Sequence, residues 1–307
     1  MTRMLMLLGV LVLLAPASAG AQEDVCYRAA QERSTRDADL DACTRQIRSG
    51  RYSGRALASA LNNRGRIHYA RREFDRALAD YSEAIRLDPK DAHAYNNRGV
   101  AYADKGESDR ALADYSHAIR LDSDYASPYN NRGLIYYRKG DSDRAFADYN
   151  EAIRLDPKFA RAHYNRGLAY QSKGQFDRAL ADYNEAIRLH PKYANAYNNR
   201  CWTRALANRE LAQALADCDR ALQLRPDHAD ALDSRGLVHF RLGRLDQAIA
   251  DFDAALKLAP RHAGSLYGRG LAKLKKGDRN GGNADIAAAQ AIDPNVAQTY
   301  EKHGLRP

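Results

Sequence analysis

Four cysteines stand in two pairs, Cys26 with Cys43 and Cys201 with Cys218, and both pairs are separated by 17 residues. Thiols at recurring positions suit three readings: disulfides, buried free thiols or zinc ligands. A zinc site is disfavoured, because no Cys-x-x-Cys occurs and no histidine recurs at ligand spacing. The nine histidines are scattered, with His68 and His239 at one equivalent position and His228 and His262 at another. None stands beside a repeated Ser, Cys or carboxylate, as a nucleophile–base pair requires. Asn280-Gly281-Gly282 reads as a lone turn rather than a phosphate-binding loop. The residues therefore offer no catalytic constellation and call for no cofactor or metal.

The element behind these residues is a repeat. Ala94–Leu121 returns as Pro128–Leu155 and Ala162–Leu189, a period of 34 residues, with weaker copies on both sides. A fixed period of this size means stacked supersecondary units rather than one globular core. With each glycine at position 8, seven units begin at Ala58, Ala92, Ala126, Ala160, Ala194, Ala229 and Ala263. Position 8 is Gly65, Gly99, Gly133, Gly167, Cys201, Gly236 and Gly270. Position 24 is Tyr81, Tyr115, Tyr149, Tyr183, Cys218, Phe252 and Ile286. Positions 20 and 27 are small, and position 32 is Pro in every unit but the second, which has Ser123. The fifth unit carries one extra residue between its helices.

This pattern resembles the tetratricopeptide repeat over about Ala58–Val296. The resemblance implies an all-α fold, an α-α superhelix of antiparallel helix pairs. Small residues let the paired helices approach, and a ring at position 24 fills the groove. Lys105-Gly106 and Lys139-Gly140 end first helices, and Pro at position 32 ends second ones. The expected organisation is a signal peptide over 1–21, a degenerate helical hairpin over 22–57, seven repeats over 58–296, and a capping helix with tail over 297–307 that solvates the last repeat.

Cys201 replaces the position-8 glycine and Cys218 the facing ring, so the two fill one space together. Cys26 and Cys43 repeat the spacing in the N-terminal hairpin. Two disulfides are expected, each tying one hairpin.

Position 7, usually apolar in this family, is Arg64, Arg98, Arg132, Arg166, Arg200, Arg235 and Arg269. Position 23 is Asp80, Asp114, Asp148, Asp182, Asp217, Asp251 and Asp285. One Arg and one Asp per unit suggests an ion pair across the helices, with a ligand-binding arginine ladder as the functional alternative.

In the family the first helix of each pair forms the inner face, and helical spacing puts positions 2, 6, 9 and 13 on one stripe. Position 6 supplies Asn63, Asn97, Asn131, Asn165 and Asn199; position 9 includes Leu134, Leu168 and Trp202. An asparagine row beside apolar side chains suits an extended peptide, since each amide both donates and accepts. The same asparagines could instead bridge neighbouring repeats.

The chain has 307 residues, 45% hydrophobic and 28% charged, which suits a soluble folded protein. Its net charge of +9 comes mostly from Arg, which alternates with Asp and Glu along the helices. Nucleic acid is not expected as a partner, because the tyrosines follow the packing period. Arg3, the apolar run Met4–Ala15 and the small residues Ala17-Ser18-Ala19-Gly20-Ala21 read as a secretory signal cleaved after Ala21. No later segment is long enough to span a membrane. The expected function is a non-enzymatic scaffold binding a protein or peptide, periplasmic or secreted. The alternatives are a basic protein anchored to an anionic envelope component, or a non-catalytic subunit of an enzyme complex.

Overall fold

The computed structural model describes residues 25–306, so the expected signal peptide lies outside the described residues. Those residues form helices and short turns and fall into two compact units that divide between Leu121 and Asp122.

In the first unit, α1 (Val25–Gln31) and α2 (Asp37–Arg48) form the short N-terminal hairpin. Two full pairs follow: α3 (Gly54–Ala70) with α4 (Phe74–Leu87), and α5 (Ala92–Asp104) with α6 (Ser108–Leu121). Helix α3 begins at Gly54, ahead of the start of the repeat at Ala58; Leu57 of the added turn and Ile47 of α2 pack against the same core cluster.

The second unit holds five pairs: α7 (Ala126–Arg138) with α8 (Ser142–Leu155), α9 (Ala160–Ser172) with α10 (Phe176–Leu189), α11 (Ala194–Leu206) with α12 (Leu211–Leu224), α13 (Ala229–Arg241) with α14 (Leu245–Leu258), and α15 (Ala263–Lys275) with α16 (Arg279–Ile292). A last short helix, α17, spans Val296–Glu301. Asn280-Gly281-Gly282 is not a separate turn: Asp278 caps α16 by accepting from the Gly281 N–H, and the glycines lie in its first turns. A side chain at Gly282 would meet Leu274 at 2.6 Å, so the position is small for packing.

The pairs close through one recurring exchange of volume. A Cβ at Gly65, Gly99, Gly133, Gly167 or Gly236 would lie 2.6–2.9 Å from the ring at position 24 of the same repeat. Tyr81, Tyr115, Tyr149, Tyr183 and Phe252 are correspondingly buried. In the fifth repeat the Cys201–Cys218 bridge, S–S 2.03 Å, takes this place. Cys26 and Cys43 are bridged in the same way at 2.06 Å. Between paired helices the turn uses a left-handed residue. Gly106, Gly140, Gly174, Gly243 and Gly277 supply it, Arg72 does so without being glycine, and the longer turn of the fifth repeat has two such residues, Asn208 and Glu210.

Candidate partner-binding face

The repeated Arg and Asp meet as two-pronged forks. In the first repeat Arg64 Nε and Nη2 donate to Asp80 at 2.8 and 2.6 Å. Arg132–Asp148 (2.9 and 2.7 Å) and Arg166–Asp182 (2.9 and 2.7 Å) repeat the geometry. So do Arg98–Asp114, Arg200–Asp217, Arg235–Asp251 and Arg269–Asp285. The seven aspartates are only 4–7% exposed. The hydrogen bonds to Asp80, Asp114, Asp148 and Asp182 raise the guanidinium pKa values of Arg64, Arg98, Arg132 and Arg166 above the usual range, against the opposing cost of burial.

The third nitrogen often reaches the preceding repeat. Arg166 Nη1 donates to Asn150 at 2.8 Å, Arg200 Nη1 to Asn184 at 2.6 Å, Arg235 Nη1 to Asp219 at 2.8 Å and Arg269 Nη1 to Asp253 at 2.6 Å. The arginines are thus staples within and between repeats, with their donors engaged by the protein itself. A ligand ladder would need them unpaired.

The asparagines of position 6 also face their neighbours. Asn97 Nδ2 donates to Asn62 at 3.0 Å, Asn165 Nδ2 to Asn130 at 2.9 Å, and Asn199 Nδ2 to the Tyr164 hydroxyl at 2.7 Å. Each bond runs back to position 5 of the preceding repeat. Asn131 accepts from Asn130 at 3.2 Å. Asn63 and Asn165 are buried, whereas Asn97, Asn131 and Asn199 are half-buried. Leu134, Leu168 and Trp202 are half-buried on the first helices of their repeats. The accessible surface of these helices is therefore carried more by Leu134, Leu168, Trp202 and the half-buried amides than by a continuous row of free asparagines.

Sequence reasoning missed a polar pocket in the second unit. About 330 Å³ in volume, it is lined by Asn199, Trp202, Asp230, Asp233, His262 and Tyr300, among others. Ser265 Oγ donates to Asp233 at 2.7 Å and lies 2.8 Å from His262 Nδ1. His262 Nδ1 accepts from the Ser265 N–H at 3.0 Å, capping α15. Its other nitrogen lies 3.5 Å from Asp230, which raises the imidazole pKa and lowers that of Asp230. Burial pushes the Asp233 carboxyl up to about 6. A serine hydroxyl beside an imidazole is the geometry of an activated nucleophile. Here, however, the serine is fully buried, its hydroxyl points to a carboxylate, and the imidazole serves as a helix cap. One sequence signal marked the spot: Asp233 occupies position 5, where the other repeats have Asn or Tyr.

Family profiles described as TPR repeat match residues 65–106, 101–140 and 133–174, and others described as tetratricopeptide repeat match 160–193, 203–264 and 234–296. The chain belongs to the tetratricopeptide repeat family. No curated protein matches its sequence. Among solved structures it is similar to the APC/C hetero-tetramer Cut9-Hcn1, with a TM-score of 0.71 and 16% identity. That match covers 80% of this chain and 48% of the other, so the chain spans about half the length of that relative. It is also similar to PilW, a type IV pilus biogenesis factor, with a TM-score of 0.61, 20% identity, and 68% and 96% of the two chains covered. Pseudomonas aeruginosa pilF gives a TM-score of 0.59 at 17% identity, over 71% of this chain and all of the other. At such identities the likeness is one of fold.

Proposed function

We propose that the protein is a non-enzymatic scaffold that binds a peptide or protein partner through the first helices of its repeats, in the periplasm or outside the cell. The observation that carries this reading is the half-buried stripe of Asn131, Leu134, Leu168, Asn199 and Trp202 on successive first helices of the second unit. Apolar side chains held at regular spacing, with amides between them, offer anchoring and backbone hydrogen bonding together. Membership of a family of interaction modules points the same way, as does the presence in other such folds of type IV pilus factors.

Export is supported by the two bridges, since disulfides persist in oxidising compartments. No helix among the described residues is long and apolar enough to cross a membrane. Anchoring through basic charge is less well supported. Exposed arginines pair along their own helices, as in Arg86–Glu83, Arg154–Glu151 and Arg188–Glu185, which neutralises the surface locally.

Crosslinking in the native compartment, followed by identification of the captured protein, tests the reading. Leu134→Asp with Leu168→Asp should abolish capture, while a charge change at exposed Arg178 should not. Undiminished capture by the stripe variant at native helicity would overturn the proposal.

A further inference from the structure

Helix α17 packs on α15 and α16, as a cap on the last repeat would. Contacts of residues 300–305 extend beyond that repeat, to α10, α11 and α13. Tyr300 is 3% exposed, its ring 4.9 Å from Tyr267 and in edge contact with Trp202 at 6.3 Å. Its hydroxyl donates to the Gly264 carbonyl at 3.0 Å. Arg241 Nη2 donates to the His303 carbonyl at 2.5 Å, and the His303 ring lies 5.7 Å from Phe176 on α10. Leu305 is 2% exposed, in a recess shared with Phe240, Leu271 and Leu274.

The positions contacted are informative. Gly264 is position 2 of its repeat, Trp202 and Leu271 position 9 and Arg241 position 13, all members of the inner stripe, while Tyr267, Phe240, Leu274 and Phe176 flank it. The segment presents what a bound peptide presents: an aromatic anchor, an aliphatic anchor and a backbone carbonyl gripped by a guanidinium. It is joined to α16 only through Asp293, Pro294 and Asn295.

We propose that residues 296–305 are a resident ligand of the groove formed by α11, α13 and α15, and that an outside partner is a short segment bearing an aromatic and an aliphatic side chain five residues apart, which takes their place. The inference rests on the scaffold reading above and specifies one site within it. A tethered segment competes at an effective concentration in about the millimolar range, so the intact chain should bind an outside segment weakly until the tail leaves.

The probe is a fluorescein-labelled synthetic peptide with the sequence of residues 294–306, followed by anisotropy. The full chain carrying Tyr300→Ala and Leu305→Ala should bind it at least about tenfold more tightly than the unaltered chain. A peptide with its tyrosine replaced by alanine should not bind. Equal affinity for both chains, or no binding to the doubly substituted chain at native helicity, would overturn the inference. A second measurement needs no substitution: excess peptide should speed hydrogen exchange of amides 298–305 in the unaltered chain, and unchanged exchange would count against a displaceable tail. If the peptide fails to bind while partner capture through Leu134 and Leu168 persists, only this inference falls. If capture also fails, the scaffold reading falls with it.

Discussion

Replacing Asp148 by Asn tests whether the repeated forks hold the repeats together. In the native protein Asp148 accepts two bonds from Arg132, and the side chains are 8% and 20% exposed. The substitution keeps the shape, but removes the charge and sets an amide donor against a guanidinium donor. Breaking a fully buried pair costs about 3–5 kcal/mol, and breaking an exposed one about 0–1 kcal/mol. With the aspartate nearly enclosed and the arginine one-fifth open, a loss of about 2–4 kcal/mol is expected. At a urea dependence of roughly 2–3 kcal/mol per molar, the transition should move down by about 1 M. Arg132→Met leaves an apolar stem that can pack on Tyr129, whose ring already lies 5.7 Å from the guanidinium. The double variant should therefore recover part of the loss, with a coupling of at least about 1.5 kcal/mol. The assay is urea unfolding followed by far-UV circular dichroism, with each single variant and the double measured in parallel. A single-variant loss under about 0.5 kcal/mol, or additivity of the two within about 0.5 kcal/mol, would refute the staple.

Three further outcomes follow from the same geometry. Gly133→Ala would place a methyl group 2.9 Å from Tyr149 Cε1 and should lower stability by about 1–3 kcal/mol in the same urea assay; a neutral result would mean the helices part more easily than their packing implies. Protein purified from an oxidising compartment should show no free thiol when denatured without reductant, and reduction should cost about 3 kcal/mol per bridge; titration of four thiols would dismiss the pairing. For Asp233, whose carboxyl is raised from 3.8 to about 6 by burial, the native state binds more protons than the unfolded state between those values, so stability falls as pH rises through that window. Asp233→Asn should thus stabilise the protein at pH 7 and change little near pH 4, a comparison made by thermal unfolding at both; equal effects at the two pH values would remove the carboxyl as the cause.

Much of this structure was legible because its contacts recur. Arg64 and Asp80 are 16 residues apart, as are Arg98 and Asp114, so the pairing announces itself seven times over. The Cys201–Cys218 bridge was legible for a related reason: two substitutions fell together on positions that elsewhere hold a glycine and the ring opposite it. The asparagines show where periodicity stops. Spacing places Asn165 on the inner stripe, but whether its amide faces outward or toward Asn130, 35 residues earlier, depends on the angle between successive helices. That angle is set by packing between repeats, which no count along a single helix contains.

The C-terminal segment lies outside this logic altogether. Tyr300 meets Trp202, almost three repeats earlier in the sequence, and the contact occurs once. A capping helix and a returning ligand have the same local signature, namely a proline, a short helix and apolar residues at helical spacing. What separates them is the shape of the surface they meet. Here the last first-helix offers Gly264, where a side chain would meet the Tyr300 hydroxyl at 3.3 Å. At Gly268 even a methyl group would strike Phe252 at 2.5 Å, so the asparagine of position 6 could not have been kept there without moving that ring. The asparagine row thus ends at Gly268 for a reason inside the repeats, while Gly264 leaves room for Tyr300 on the first helix. Trp202, the sole tryptophan in the chain, is in contact with the segment whose release the fluorescence would report.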